Sequence, residues 1–139
     1  MTATDYYGLR RLHEGRRFYA TRKVGNNTYS HLTLDAEFQP IDITLHGHNI
    51  VRLFPNGAVM FNECGWATVT TRNRINQFLP GRYHLNQRNY DQILHHPDGT
   101  VVQVPSSGWV LVDWYSTGEQ PTREALVNLG YLKENGAHV

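Results

Sequence analysis

The sequence predicts an α+β domain, mainly antiparallel β-sheet in hairpins and a meander, with one short central helix and a C-terminal helix. Three observations predict it. Ile41, Ile43 and Leu45 alternate with polar residues, the period of a half-buried strand. Pro55-Asn56-Gly57 and Pro97-Asp98-Gly99 are tight-turn signals set between runs rich in β-formers. After Trp66 the apolar spacing lengthens to a helical one, at Ile75, Phe78 and Leu79. At 139 residues, 40% of them hydrophobic, the chain is large enough for one domain with its own core.

Residues 1–16 carry few apolar anchors and several charges, so a flexible N-terminal arm is expected there, ahead of a single globular domain over 17–139. Arg16 to Val24 is rich in aromatic and β-branched residues and reads as a strand. Gly25-Asn26-Asn27 tolerates positive φ and turns the chain into a returning strand from Thr28 to Leu34. The runs 41–46, 49–54 and 58–62 form the meander, joined at Gly47-His48 and at Pro55-Asn56-Gly57. Thr70 or Thr71 is placed to cap a helix running through Leu79, and Pro80-Gly81 stops it. Short strands are expected at 82–85, 92–95 and 100–104, and a buried one at 109–115. Thr122 then looks like the cap of a helix over 122–134, with Leu126, Leu129 and Leu132 on one face. That helix packs on the sheet or joins a homo-oligomer.

Composition excludes several classes. Cys64 is the only cysteine, so neither an internal disulfide nor a CxxC zinc pattern exists, and a reducing cytoplasm suits the chain. No apolar run reaches the roughly 18 residues of a membrane span. MTATDYYGLRRLHEG lacks the apolar centre of a signal peptide. The net charge of +1 conceals an asymmetry: residues 1–88 hold 11 Arg/Lys against 6 Asp/Glu, and residues 89–139 hold 2 against 6. Arginine favours bidentate contact with phosphate or carboxylate. The basic half therefore faces either a phosphate-bearing ligand or an acidic surface, including that of a second copy.

The densest stretch is NECGWATVTTRNRIN, Asn62 to Asn76. A helix N-terminus presents unpaired N–H groups and attracts anions. Thr70 and Thr71 add hydroxyls there, Arg72 and Arg74 add charge, Asn76 follows one turn on, and Trp66 offers a ring for a base. The plainer reading makes one threonine a cap, Trp66 a core residue and the arginines solvated. Arg16, Arg17 and Arg22 interleave with Phe18 and Tyr19 as a second candidate surface. Alternatively, Phe18 is core and the arginines blunt a sheet edge.

Catalytic and metal sets are weak. His46 and His48 share an i, i+2 spacing, but zinc needs three or four ligands, and His31, His84, His95 and His96 match no known spacing. His31-Leu32-Thr33 is half of a two-histidine phosphoesterase signature, and His84-Leu85-Asn86 lacks the second hydroxyl. A lone Cys64 reads as structural. No P-loop, Gly-x-Ser-x-Gly or Gly-x-Gly-x-x-Gly occurs. No cofactor and no metal are expected.

Leu45-His46-Gly47, Asn49-Ile50-Val51, Pro55-Asn56-Gly57, Asn62 to Thr68 and Thr70 to Asn76 together resemble a small family of uncharacterised bacteriophage proteins. Its core reads Gly-Trp-x-Thr-x-Thr-Thr-x-x-Arg-Ile-Asn, here Gly65 to Asn76. The resemblance carries no activity. It implies a phage accessory protein in the host cytoplasm. The expected function is non-enzymatic binding of nucleic acid or a nucleotide. The alternatives are a protein–protein inhibitor of a host enzyme or defence system and, remotely, a metal-independent phosphoesterase.

Overall fold

The structure is a computed structural model that describes residues 3–15, 17–55 and 57–112, with Glu124 and Asn128. Its elements are α1 (Tyr6–His13), β1 (Thr21–Gly25), β2 (Thr28–Leu32), β3 (Ile41–Leu45), β4 (His48–Leu53), β5 (Val59–Phe61), α2 (Val69–Phe78), β6 (His84–Arg88), β7 (Asp91–His95), β8 (Val101–Val104) and β9 (Val110–Val112). The fold is α+β and its sheets are antiparallel. One sheet has the order β1-β2-β3-β4-β5-β9, the other β6-β7-β8.

Turn chemistry sets the local pairing. His46 and Gly47 both have positive φ, at 51° and 82°, and join β3 to β4 as a two-residue hairpin turn. Asn89 and Tyr90, at 51° and 70°, do the same between β6 and β7. The two Pro-Asn/Asp-Gly turns share one geometry. Gly57 N–H donates to the Phe54 carbonyl at 3.1 Å and Gly99 N–H to that of His96 at 3.0 Å, with φ 90° at both glycines.

The meander expected over 41–62 is β3-β4-β5. What sequence spacing does not show is the last strand of the larger sheet. β9 returns to pair with β5, Val112 opposite Val59, after α2 and the second sheet have intervened. One apolar cluster unites a face of the larger sheet (Ile41, Ile43, Val51, Phe61) with Leu9 of α1, Ile75 of α2 and Leu85 of the second sheet. A smaller cluster of Phe54, Ala58 and Met60 packs with Phe38, Trp109 and Leu111.

Within the stretch read as an N-terminal arm, the described residues 3–15 include α1. Asp5 caps it, accepting from Gly8 N–H at 2.9 Å. Tyr6, Leu9 and His13 form one buried stripe. Tyr6 and His13 carry polar atoms, so the stripe does not stand out as a run of aliphatic residues. Their polar atoms are satisfied: Tyr6 O–H donates to the Gln39 carbonyl at 2.6 Å, and the His13 ring bridges the Tyr19 carbonyl and Ser30 Oγ at 2.5 and 2.8 Å. Arg10 Nη1 adds a bond to Gln39 Oε1 at 2.9 Å. These contacts hold Phe38 and Gln39 at φ 65° and 47°, conformations that side chains seldom adopt.

The first strand starts at Thr21, later than the expected Arg16. Glu124 and Asn128 are helical and exposed. The rest of the helix expected at 122–134, and the end of the strand expected at 109–115, lie outside the described residues.

Candidate functional site

The stretch from Asn62 to Asn76 is the junction between β5 and α2. Its cap is Thr68, neither Thr70 nor Thr71. Thr68 has extended backbone, φ −101° and ψ 164°, and its Oγ1 accepts from Thr71 N–H at 3.2 Å. Any of three threonines has the right chemistry. The cap is the one whose hydroxyl reaches a backbone N–H at the third helical position. Thr71 is buried with its hydroxyl 3.0 Å from that of Thr68, and Thr70 is exposed.

Helix geometry then separates the two arginines, since residues two apart point about 200° from each other. Arg72 turns toward the second sheet: its Nη1 donates to Gln87 Oε1 of β6 and to the Ala67 carbonyl just before α2, both at 2.9 Å. Arg74 turns toward β1, its guanidinium carbon 3.6 Å from where a Cβ on Gly25 would stand. Asn76 has a structural partner. It donates to the Leu85 carbonyl at 2.8 Å and accepts from Leu85 N–H at 2.7 Å. Arg17 is exposed, Arg22 lies over the Tyr19 ring at 4.8 Å, and Arg16 is outside the described residues.

Trp66 is not core. It is 52% exposed and rests on His48, ring centroids 4.9 Å apart at 47°. The His46 N–H donates to the Asn27 carbonyl at 2.9 Å, so the β1–β2 and β3–β4 turns meet beside this ring pair. Phe18 and Tyr19 are also exposed, at 47% and 44%. The reading of Phe18 as a core residue does not hold: β1 begins beyond it.

Sequence reasoning passed over Glu63. It is 1% exposed, and burial pushes its carboxyl from an ordinary 4.5 up to about 7, against the lowering pull of Arg72. With Cys64, Trp66, His46, His48 and Thr71 it lines a small notch. Gln92 of β7 faces it. With its nitrogen toward Glu63, the amide donates to the two carboxylate oxygens at 2.9 and 3.1 Å. With its oxygen toward Glu63, it accepts the proton of the neutral acid and donates to Gln87 Oε1 at 3.1 Å. The one legible signal was an acid placed directly after the apolar run Val59-Met60-Phe61.

Cys64 donates to the Asn49 carbonyl at 3.3 Å, and burial pushes its thiol above the usual range, so it stays protonated. His31 lies between the hydroxyls of Thr21 and Thr44, at 3.1 and 3.0 Å. His84 pairs with His95 in the other sheet. Among the described residues, no group of three or more His, Cys, Asp or Glu converges as a metal set. Among them, too, no helix is long and apolar enough to cross a membrane.

A family model described as Kyanoviridae Gp96 protein matches residues 15–119, well over half of the chain. The chain belongs to this family. The Gp96 proteins are a phage family, and the match extends on both sides of the 45–79 stretch that carried the resemblance. It takes in Trp66, Glu63, the exposed Phe18 and Tyr19, and both sheets. No curated protein and no solved structure matches the chain.

Proposed function

We propose that this Gp96-family protein is a non-enzymatic phage accessory protein that binds nucleic acid in the host cytoplasm. The observation that carries the reading is Trp66, a half-exposed ring propped from beneath by His48. A large exposed aromatic held rigid is a platform on which any base stacks. The exposed Phe18 and Tyr19, with Arg22 over Tyr19 and Arg17 beside them, repeat that chemistry at the start of β1. Thr70 and Arg74 remain available to a ligand. Thr71, Arg72 and Asn76 serve the cap and the contact with the second sheet. The test is anisotropy of labelled single-stranded DNA, duplex DNA and single-stranded RNA at low and raised salt. Salt-sensitive binding that weakens in Trp66→Ala supports the reading. A flat titration at low salt refutes it.

The exposed Tyr7, Phe18 and Tyr19 also favour a second reading, a protein–protein inhibitor of a host enzyme or defence system, because Tyr and Arg anchor protein interfaces. A salt-insensitive host partner displaced by Tyr19→Ala supports it.

A further inference from the structure

A groove of about 330 Å³ lies between the start of α1, strand β1 and helix α2, lined by Thr4, Val24, Arg74, Gln77 and Phe78. Arg74 lines it, and the Arg74 Nε is buried with no hydrogen-bond partner among the described residues. An unpaired buried N–H on a charged group is costly, and a guanidinium does not escape the cost by losing its proton. Such a donor calls for an acceptor that the described residues do not supply, a water or a ligand atom. Among the described residues the groove is lined by a hydroxyl, an amide and an apolar wall from Val24 and Phe78, with no carboxylate. That lining suits an anion.

The position of the groove says which anion. β1 is the edge strand of the larger sheet, and Arg22 and Val24, two residues apart, share a face of it. Tyr19 with Arg22 stands before the groove along β1. Beyond it the β1–β2 turn meets His46, next to His48 and Trp66. One exposed ring therefore lies at the start of β1, the Arg74 guanidinium lies beside Val24 and Gly25 near its end, and a second exposed ring lies past the β1–β2 turn, resting on His48, the first residue of β4. Rings of this kind stack unpaired bases, which a duplex does not present.

We infer that this groove is the phosphate subsite for a single strand of nucleic acid, with Arg74 on the backbone between bases stacked on Tyr19 and on Trp66. The inference rests on the nucleic-acid reading above and adds the strand state and the path.

The experiment titrates a short fluorescein-labelled oligothymidylate, and a duplex of equal length, with the full chain across a salt series. For single strands each phosphate contact contributes about 0.7 to the slope of log affinity against log salt. Arg74→Ala is expected to lower the slope by about that amount, and Arg74→Lys to keep it, with thermal melts confirming that both fold. Trp66→Ala and Tyr19→Ala are each expected to weaken binding roughly tenfold with the slope unchanged. If Arg74→Ala keeps the wild-type slope while Trp66→Ala still weakens binding, the groove is not the phosphate subsite and the nucleic-acid reading stands. Duplex binding as tight as single-strand binding overturns the strand assignment. Absence of salt-dependent binding to either overturns both.

Discussion

The Gln92 amide lies 2.9 and 3.1 Å from the two carboxyl oxygens of Glu63, and so ties the second sheet to the loop after β5. This acid is buried, and its proton affinity has a stability consequence. Burial pushes its carboxyl from 4.5 up to about 7. Between those values the folded state keeps a proton that the unfolded chain gives up, so stability falls as pH rises through that window and levels off above it. The full change is roughly 3 kcal/mol. Glu63→Gln is expected to flatten this part of the profile and to raise stability most above pH 7. Thermal melts over a pH series check it, and parallel profiles for variant and wild type would contradict it.

Asn76 is expected to be a stability residue. Its amide closes two bonds with the backbone of Leu85, whose side chain is in the core. Asn76→Ala leaves a backbone donor and acceptor without partners where α2 meets β6, at a cost of about 2 kcal/mol. Urea denaturation measures this, and a change within about 0.5 kcal/mol would mean that water replaces the amide.

His13 supplies the acid-side counterpart. Its Nδ1 faces the Tyr19 carbonyl, which only accepts, so Nδ1 carries the proton and Nε2 accepts from Ser30. Burial lowers its proton affinity below the ordinary 6.5. The stability that this neutral ring contributes is present above that value and is lost as pH falls through the folded-state value. An NMR titration of the His13 ring is expected to show a midpoint below 6.5, and one at or above it would contradict the buried bridge.

Gly99 separates backbone strain from packing. It has φ 90°, and a Cβ there would meet nothing within 4 Å. Gly99→Ala is therefore expected to cost about 1 kcal/mol through conformation alone, read as a lower melting temperature with an unchanged urea slope. A neutral result would show that the β7–β8 turn changes type.

The meander was legible because each part of it depends on neighbours in sequence. Alternation at Ile41, Ile43 and Leu45 sets the buried face of β3, and the Pro-Asn-Gly and Pro-Asp-Gly turns close their own hairpins. The turn at Asn89-Tyr90 went unread, since a tyrosine at positive φ carries no turn signature. Helix α1 was hidden for a different reason. Its stripe includes Tyr6 and His13, whose burial depends on partners more than a dozen residues away, Gln39 and Ser30.

The candidate site divides along the same line. Trp66, the threonines and the arginines were recognisable as ligand chemistry, but the sequence ranked them by proximity along the chain. The helical period then sends Arg72 to Gln87 and Arg74 to β1, and hands the cap to Thr68.

By itself the sequence determined the strand periods, the two Pro-x-Gly hairpins, the position of α2 and the phage family, because these are written in residues close together. Only the tertiary structure decided that β9 pairs with β5, that Glu63 is buried against Gln92, and that Trp66 stays at the surface on His48. Those outcomes depend on which distant side chains share a space, and burial and unpaired donors come into being only when the chain has packed.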